Sequence, residues 1–118
     1  MPTAVPCARL HVRTRLHEWQ LGGLAETAEL VASELSTNAV SAVARLPEPL
    51  VRLRLAADRQ CVLIEVWDAS PQMPALREPG LDEEGGRGLL LVAVLSDAWG
   101  AYPCRVGKIA WAVVKMQA

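Results

Sequence analysis

Three groups of residues carry side chains able to do chemistry. The first lies in Leu30-Val31-Ala32-Ser33-Glu34-Leu35-Ser36-Thr37-Asn38-Ala39-Val40, a run without Gly or Pro. Glu34 and Asn38 stand four apart, one turn of a helix, so both project on the same side. A carboxylate can polarise a hydroxyl or a water, and an amide oxygen can ligate a hard cation such as Mg²⁺. The plainer alternative is a boundary Glu and Asn, each hydrogen-bonded to a neighbouring loop. The second group is Asp68, which follows Cys61-Val62-Leu63-Ile64-Glu65-Val66-Trp67. Strand alternation puts Val62, Ile64 and Val66 on one face, and Asp68 is next in that phase. A carboxylate there can accept a hydrogen bond from a ligand's amino group, or close a turn on its own backbone. The third is Gly85-Gly86-Arg87-Gly88, directly ahead of Leu89-Leu90-Leu91-Val92-Ala93-Val94-Leu95. Glycines before a helix start let backbone N–H groups approach a phosphate, and the helix dipole favours the anion. The same glycines would equally serve a hinge, and Arg87 would either add charge to a phosphate or sit in solvent.

These residues need elements to hold them. At about 100° per residue, Leu24, Ala28, Val31, Leu35, Ala39 and Ala42 form one apolar stripe, which predicts a helix over residues 24–43. Asn38 falls on the edge of the stripe and Glu34 one side-chain width further round. Glu26, Glu29, Ser33 and Ser36 are expected on the opposite, solvent face. An earlier helix over residues 6–19 is predicted by Ala8, Val12, Leu16 and Trp19, and Gln20-Leu21-Gly22-Gly23 ends it. His11 and His17 on that helix read as surface residues. The second helix stops near Arg45, because Pro47 and Pro49 cannot continue it. Alternation then predicts a strand over 50–55, a turn over 57–60 and a strand over 61–67, together a hairpin. Residues 98–102 read as a third strand. After a turn at 103–107, Ile109, Trp111 and Val113 alternate with Ala110, Ala112 and Val114 in a fourth. Residues 72–88 have neither period and form a long loop, of the kind that is usually functional or mobile. The order helix, helix, hairpin, loop, helix, hairpin predicts a two-layer α+β sandwich.

Composition narrows the function class. The chain has 118 residues, enough for one domain spanning 1–118. It is 52% hydrophobic and 21% charged, which argues against disorder. A formal net charge of -1 with scattered arginines gives no footprint for nucleic acid. Phe is absent and Trp occurs four times, so an aliphatic core with Trp as filler is expected. Cys7, Cys61 and Cys104 are too far apart for a zinc knuckle or a redox pair. Cys61 reads as a small buried hydrophobe, a pattern that suits a reducing cytoplasm. Neither a signal peptide nor an apolar run of membrane-spanning length is seen, so a cytoplasmic location without a membrane partner is expected.

Taken in chain order, Glu34-Leu35-Ser36-Thr37-Asn38-Ala39-Val40, Val66-Trp67-Asp68 and Gly86-Arg87-Gly88-Leu89-Leu90-Leu91-Val92 form a specific set. Trp99-Gly100 and Gly107-Lys108-Ile109-Ala110-Trp111-Ala112 add to it. The set resembles the ATP-binding domain of the GHKL, or Bergerat-fold, superfamily, shared by gyrase, a heat-shock chaperone, a mismatch-repair protein and histidine kinases. Within it, the likeness is to short actinobacterial proteins related to anti-sigma-factor serine/threonine kinases, and it covers nearly the whole chain. The resemblance implies a mostly antiparallel mixed sheet with helices on one face, and ATP and Mg²⁺ as cofactors. It implies that Asn38 would bind the Mg²⁺ that bridges the phosphates. Glu34 would be the general base, orienting a water or protein hydroxyl toward the γ-phosphate. Asp68 would recognise the adenine amino group. Gly86, Arg87, Gly88 and Leu89 would close an ATP lid, about residues 72–88, over the phosphates. Such placement is what phosphoryl transfer needs, since positioning and charge neutralisation do most of the work.

The implied partners are an antagonist (anti-anti-sigma) protein phosphorylated on Ser or Thr, a sigma factor, and a possible second copy of the chain. The alternative is a non-catalytic module that sequesters such a partner. Ser70 stands where the family usually has Gly, and Ile109 where it often has a Thr that helps hold adenine through water. The sequence opens on the first helix, without the strand that often pairs subunits in these kinases.

Overall fold

The computed structural model describes residues 3–71 and 84–116, apart from the side chains of 84–88. Its elements are α1 (Ala4–Glu18), α2 (Ala25–Val43), β1 (Val51–Ala57), β2 (Cys61–Asp68), α3 (Glu84–Leu95), β3 (Ala98–Pro103) and β4 (Lys108–Lys115). Residues 72–83, most of the expected lid, lie outside the described residues.

The strands form one antiparallel sheet in the order β1-β2-β4-β3, and the helices pack on one face of it. This is the predicted two-layer α+β sandwich. The alternation of β2 explains the layering, because Val62, Ile64 and Val66 are all fully buried. Ala112 and Val114 of β4 join them beneath Val12 and Leu16 of α1, Val31 and Leu35 of α2, and Val92 of α3. Each fully buried Val, Leu or Ile contributes about 1.5–3 kcal/mol, so this inner face holds the layers together.

Local signals set the ends of these elements. Helix α1 closes with Leu21 N–H donating to Leu16 O at 2.7 Å and Gln20 N–H to His17 O at 3.1 Å. Gln20 takes the left-handed conformation, φ 61°, that this helix stop requires. Leu21 and Leu16 are both buried, which supplies the apolar contact that accompanies it. In the β1–β2 turn, Asp58 Oδ1 accepts from Gln60 N–H at 2.7 Å and Cys61 N–H at 2.9 Å. These bonds hold the Asp58 carboxyl below its ordinary pKa.

The stripe predicted for α2 is realised through Leu24, Ala28, Val31, Leu35 and Ala39, which are buried, while Ala42 at its end is half-buried. The opposite face is not uniformly wet, however. Glu29 and Ser36 are only 6% and 3% exposed, because α1 covers a second side of α2. Glu29 tolerates burial through a two-pronged ion pair, Arg13 Nη2 to Oε1 at 2.8 Å and Arg13 Nε to Oε2 at 3.0 Å. The hydrogen bond and charge of Arg13 hold the Glu29 carboxyl below the usual glutamate range.

The tryptophans also depart from expectation. Only Trp99 packs against the core among the described residues. Trp67 and Trp111 alternate to the outer face of the sheet, where Trp67 Nε1–H donates to Val106 O at 2.9 Å and Arg52 lies 5.4 Å from the Trp67 ring centre. Cys61 shares that outer phase and is half-buried rather than buried. Among the described residues, no helix is long and apolar enough to cross a membrane.

Candidate functional site

Helix α2 carries the first two candidates. Ser33, Glu34, Thr37 and Asn38 make a half-buried strip beside the buried ridge of Val31, Leu35 and Ala39. Among the described residues, Glu34 has no hydrogen-bond or ion-pair partner, so its carboxylate is available. Asn38 Nδ2 is buried without a hydrogen-bond partner. A buried N–H donor left unpaired costs about 1–3 kcal/mol, which an acceptor such as a phosphate oxygen would recover.

The third candidate ends β2. Only residues 44–50 separate the end of α2 from Val51, and Val51 is the register partner of Asp68. Asp68 therefore lies beside the start of the strand that follows α2. As its phase predicts, Asp68 is directed inward and is 2% exposed. Its Oδ1 accepts from Ser70 N–H at 2.8 Å, which is the turn on its own backbone left open above. The same oxygen accepts from Lys108 Nζ at 2.9 Å.

Lys108 is the residue that sequence reasoning missed. It is 4% exposed, lies directly across the ladder from Asp68, and also reaches Ser70 O at 3.4 Å. The signal was present in the alternation of β4, where Lys108 shares the inward phase of Ala110, Ala112 and Val114. Ile109 pairs with Trp67 on the outer face, so the residue across from Asp68 is Lys108. The turn before it fixes this register. Gly107 has φ +80°, and a Cβ there would lie 1.9 Å from Asp68 O and 2.9 Å from Ala69 Cα. Backbone thus packs on backbone, and only glycine fits.

The glycine segment differs from expectation in its boundary. Helix α3 begins at Glu84, so Gly86, Arg87, Gly88 and Leu89 have helical backbone rather than forming a strap ahead of the helix. Glycine weakens a helix interior by about 1 kcal/mol relative to Ala, a cost that the inward packing of Leu89 and Val92 offsets. Free N–H donors belong to the first turn of a helix. Leu89 lies beyond that turn, and its side chain is 3% exposed. The side chain of Arg87 lies outside the described residues.

A cavity of about 460 Å³ lies between α1 and α2, lined among others by Arg9, Arg13, His17, Glu26 and Glu29. It includes none of Glu34, Asn38 and Asp68. No group of three or more His, Cys, Asp or Glu among the described residues could hold a metal ion. Mg²⁺ carried in by phosphates takes one or two protein ligands and completes its shell with phosphate and water. The side-chain oxygen of Asn38 is the donor type such a minimal role needs, and its buried Nδ2–H is left for a phosphate oxygen.

Against known proteins, a family model described as a histidine kinase-like ATPase domain matches residues 2–109. No curated protein matches the chain. The match runs from α1 into β4 and takes in α2, β2 and the start of α3. By this match and by its helix-covered antiparallel sheet, the chain belongs to the histidine kinase-like ATPase domain family, a nucleotide-binding branch of the GHKL superfamily.

Proposed function

We propose that the protein binds Mg-ATP at the end of the sheet beneath α2 and phosphorylates a Ser or Thr of an antagonist protein, in the manner of anti-sigma-factor kinases. The observation that carries this reading is the pair on α2. Among the described residues, a half-buried carboxylate without a partner stands one turn from a buried amide nitrogen without a partner, inside a domain of this family. Structural boundary residues would be expected to satisfy each other or a loop.

Asn38 would hold the Mg²⁺, which neutralises phosphate charge when bound. Glu34 would accept the proton of the attacking hydroxyl and orient its oxygen. Asp68 would accept from the adenine amino group. Burial of Leu35 and Ala39 between these groups fixes the helix that carries them, which is how a site with little covalent work gains rate. Gly86, in the first turn of α3, would offer a free backbone N–H to the phosphates and Arg87 its charge, while Gly88 and Leu89 continue the helix behind them.

A second reading is favoured by one observation: the Asp68 carboxylate is already paired with Lys108. On that reading the domain is a binding module that sequesters a sigma factor or its antagonist and uses nucleotide little or not at all.

Titration calorimetry with Mg-ADP, followed by transfer from radiolabelled ATP to candidate antagonist proteins, tests both. Mg-ADP binds the wild type, Asn38→Ala loses that binding, and Glu34→Ala keeps binding but stops transfer. Equal affinity in the wild type and Asn38→Ala removes Asn38 from its role. Measurable binding with no transfer to any antagonist favours the module.

A further inference from the structure

Lys108 is a buried cation placed on the one carboxylate that the base would need. Its side chain is 5% exposed and that of Asp68 2%, with 2.9 Å between Nζ and Oδ1. A lysine seldom goes so deep unless paired, and this one takes its place against Oδ1 of Asp68. Oδ1 already takes the Ser70 N–H at 2.8 Å, so one oxygen carries two donors. The pair is not an accident of a mobile side chain. Register sets Asp68 and Lys108 directly opposite each other, and the close backbone approach at Gly107 pins that register.

We propose that Lys108 is an intramolecular occupant of the base-recognition position, and that it sets nucleotide affinity by having to leave Asp68 before an adenine amino group can bind. The inference rests on the nucleotide-site reading above and adds to it a residue that opposes binding. An amino group of adenine is a neutral donor, whereas the lysine is a charged one. The exchange therefore replaces a charge-assisted hydrogen bond with a weaker one. It also obliges the Lys108 ammonium to find water or a phosphate. Affinity for adenine nucleotides is accordingly low in the resting protein and rises when the lysine is removed.

Two measurements test this. The first is titration with Mg-ADP of the wild type, Lys108→Thr and Lys108→Gln, each checked for folding by circular dichroism. Lys108→Gln keeps a neutral N–H donor for Asp68, so it remains informative should Lys108→Thr unfold. Affinity rises about tenfold or more in either variant, the effect of one charge-assisted bond that no longer has to be broken. The second is acetylation of lysines by an amine-reactive ester, read by mass spectrometry. The chain has two lysines, and the exposed Lys115 is an internal reference. Lys108 is protected in the free protein and becomes labelled when Mg-ADP is saturating. Unchanged or weaker affinity in the folded variants, or continued protection of Lys108 in the Mg-ADP complex, overturns the occupant and leaves the nucleotide-site reading standing. Absence of Mg-ADP binding in the wild type and in both folded variants overturns the two together.

Discussion

The turn at Gly107 gives the sharpest structural prediction, because its obstacle is backbone. In Gly107→Ala the new Cβ would sit 1.9 Å from Asp68 O and 2.9 Å from Ala69 Cα. No rotamer change relieves such a contact, so the turn itself must move. The left-handed backbone, φ +80°, adds about 1–2 kcal/mol for any residue with a Cβ. Moving the turn also displaces Lys108, its immediate neighbour, from Asp68. Breaking a buried ion pair that leaves an uncompensated charge costs about 3–5 kcal/mol. The two contributions together predict a loss of roughly 4–7 kcal/mol, comparable with the whole stability of a small domain. Urea unfolding followed by tryptophan emission measures it. The adjoining Trp67 indole, bonded to Val106 O at 2.9 Å, also reports the turn directly. Gly100→Ala is the control. There the Cβ meets the Trp111 ring at 3.0 Å, a side chain that can tilt, so the cost is smaller. A Gly107→Ala protein that unfolds within about 1 kcal/mol of wild type, or that loses less than Gly100→Ala, would refute the packed turn and with it the pinned register.

Three further outcomes follow from the same geometry. Asn38→Ala removes a buried unpaired Nδ2 and raises unfolding free energy by about 1 kcal/mol, measured in urea, even as it abolishes Mg-nucleotide binding; a clear loss of stability means Asn38 has a structural partner. Arg13 depresses the Glu29 pKa, so the stability from this pair is complete above the unfolded carboxyl value, about pH 4.3, and is lost as pH falls through the lower folded value. Melting temperature against pH therefore has an acid limb that Glu29→Gln flattens; an unchanged limb contradicts the assignment. Burial, then the neighbouring Asp58, pushes the Cys61 thiol up, while Cys7 is exposed, so iodoacetamide alkylates Cys7 well before Cys61 at about pH 8. Equal rates at the two cysteines would show that Cys61 is not shielded.

Much of this protein is legible in one dimension. The 3.6-residue period put Leu24, Ala28, Val31, Leu35 and Ala39 on one buried stripe of α2, and the two-residue period turned Asp68 inward at the end of β2. Those periods are properties of the backbone, so they hold whatever the chain packs against. The type and spacing of Glu34, Asn38 and Asp68 likewise carried the resemblance that the family match supports at the level of the domain. What the periods do not contain is the identity of the opposing surface. Taken alone, α2 presents Glu29 and Ser36 to water, yet both are buried in the fold, Glu29 against Arg13 of α1. Trp67 and Trp111 face outward because the helices cover one side of the sheet and not the other. The Asp68–Lys108 pair joins residues forty apart, through a register that a single glycine turn fixes. An inward phase was visible for each residue separately, but their meeting depends on which rung of β4 lies opposite the last rung of β2, and that is settled by tertiary contact alone.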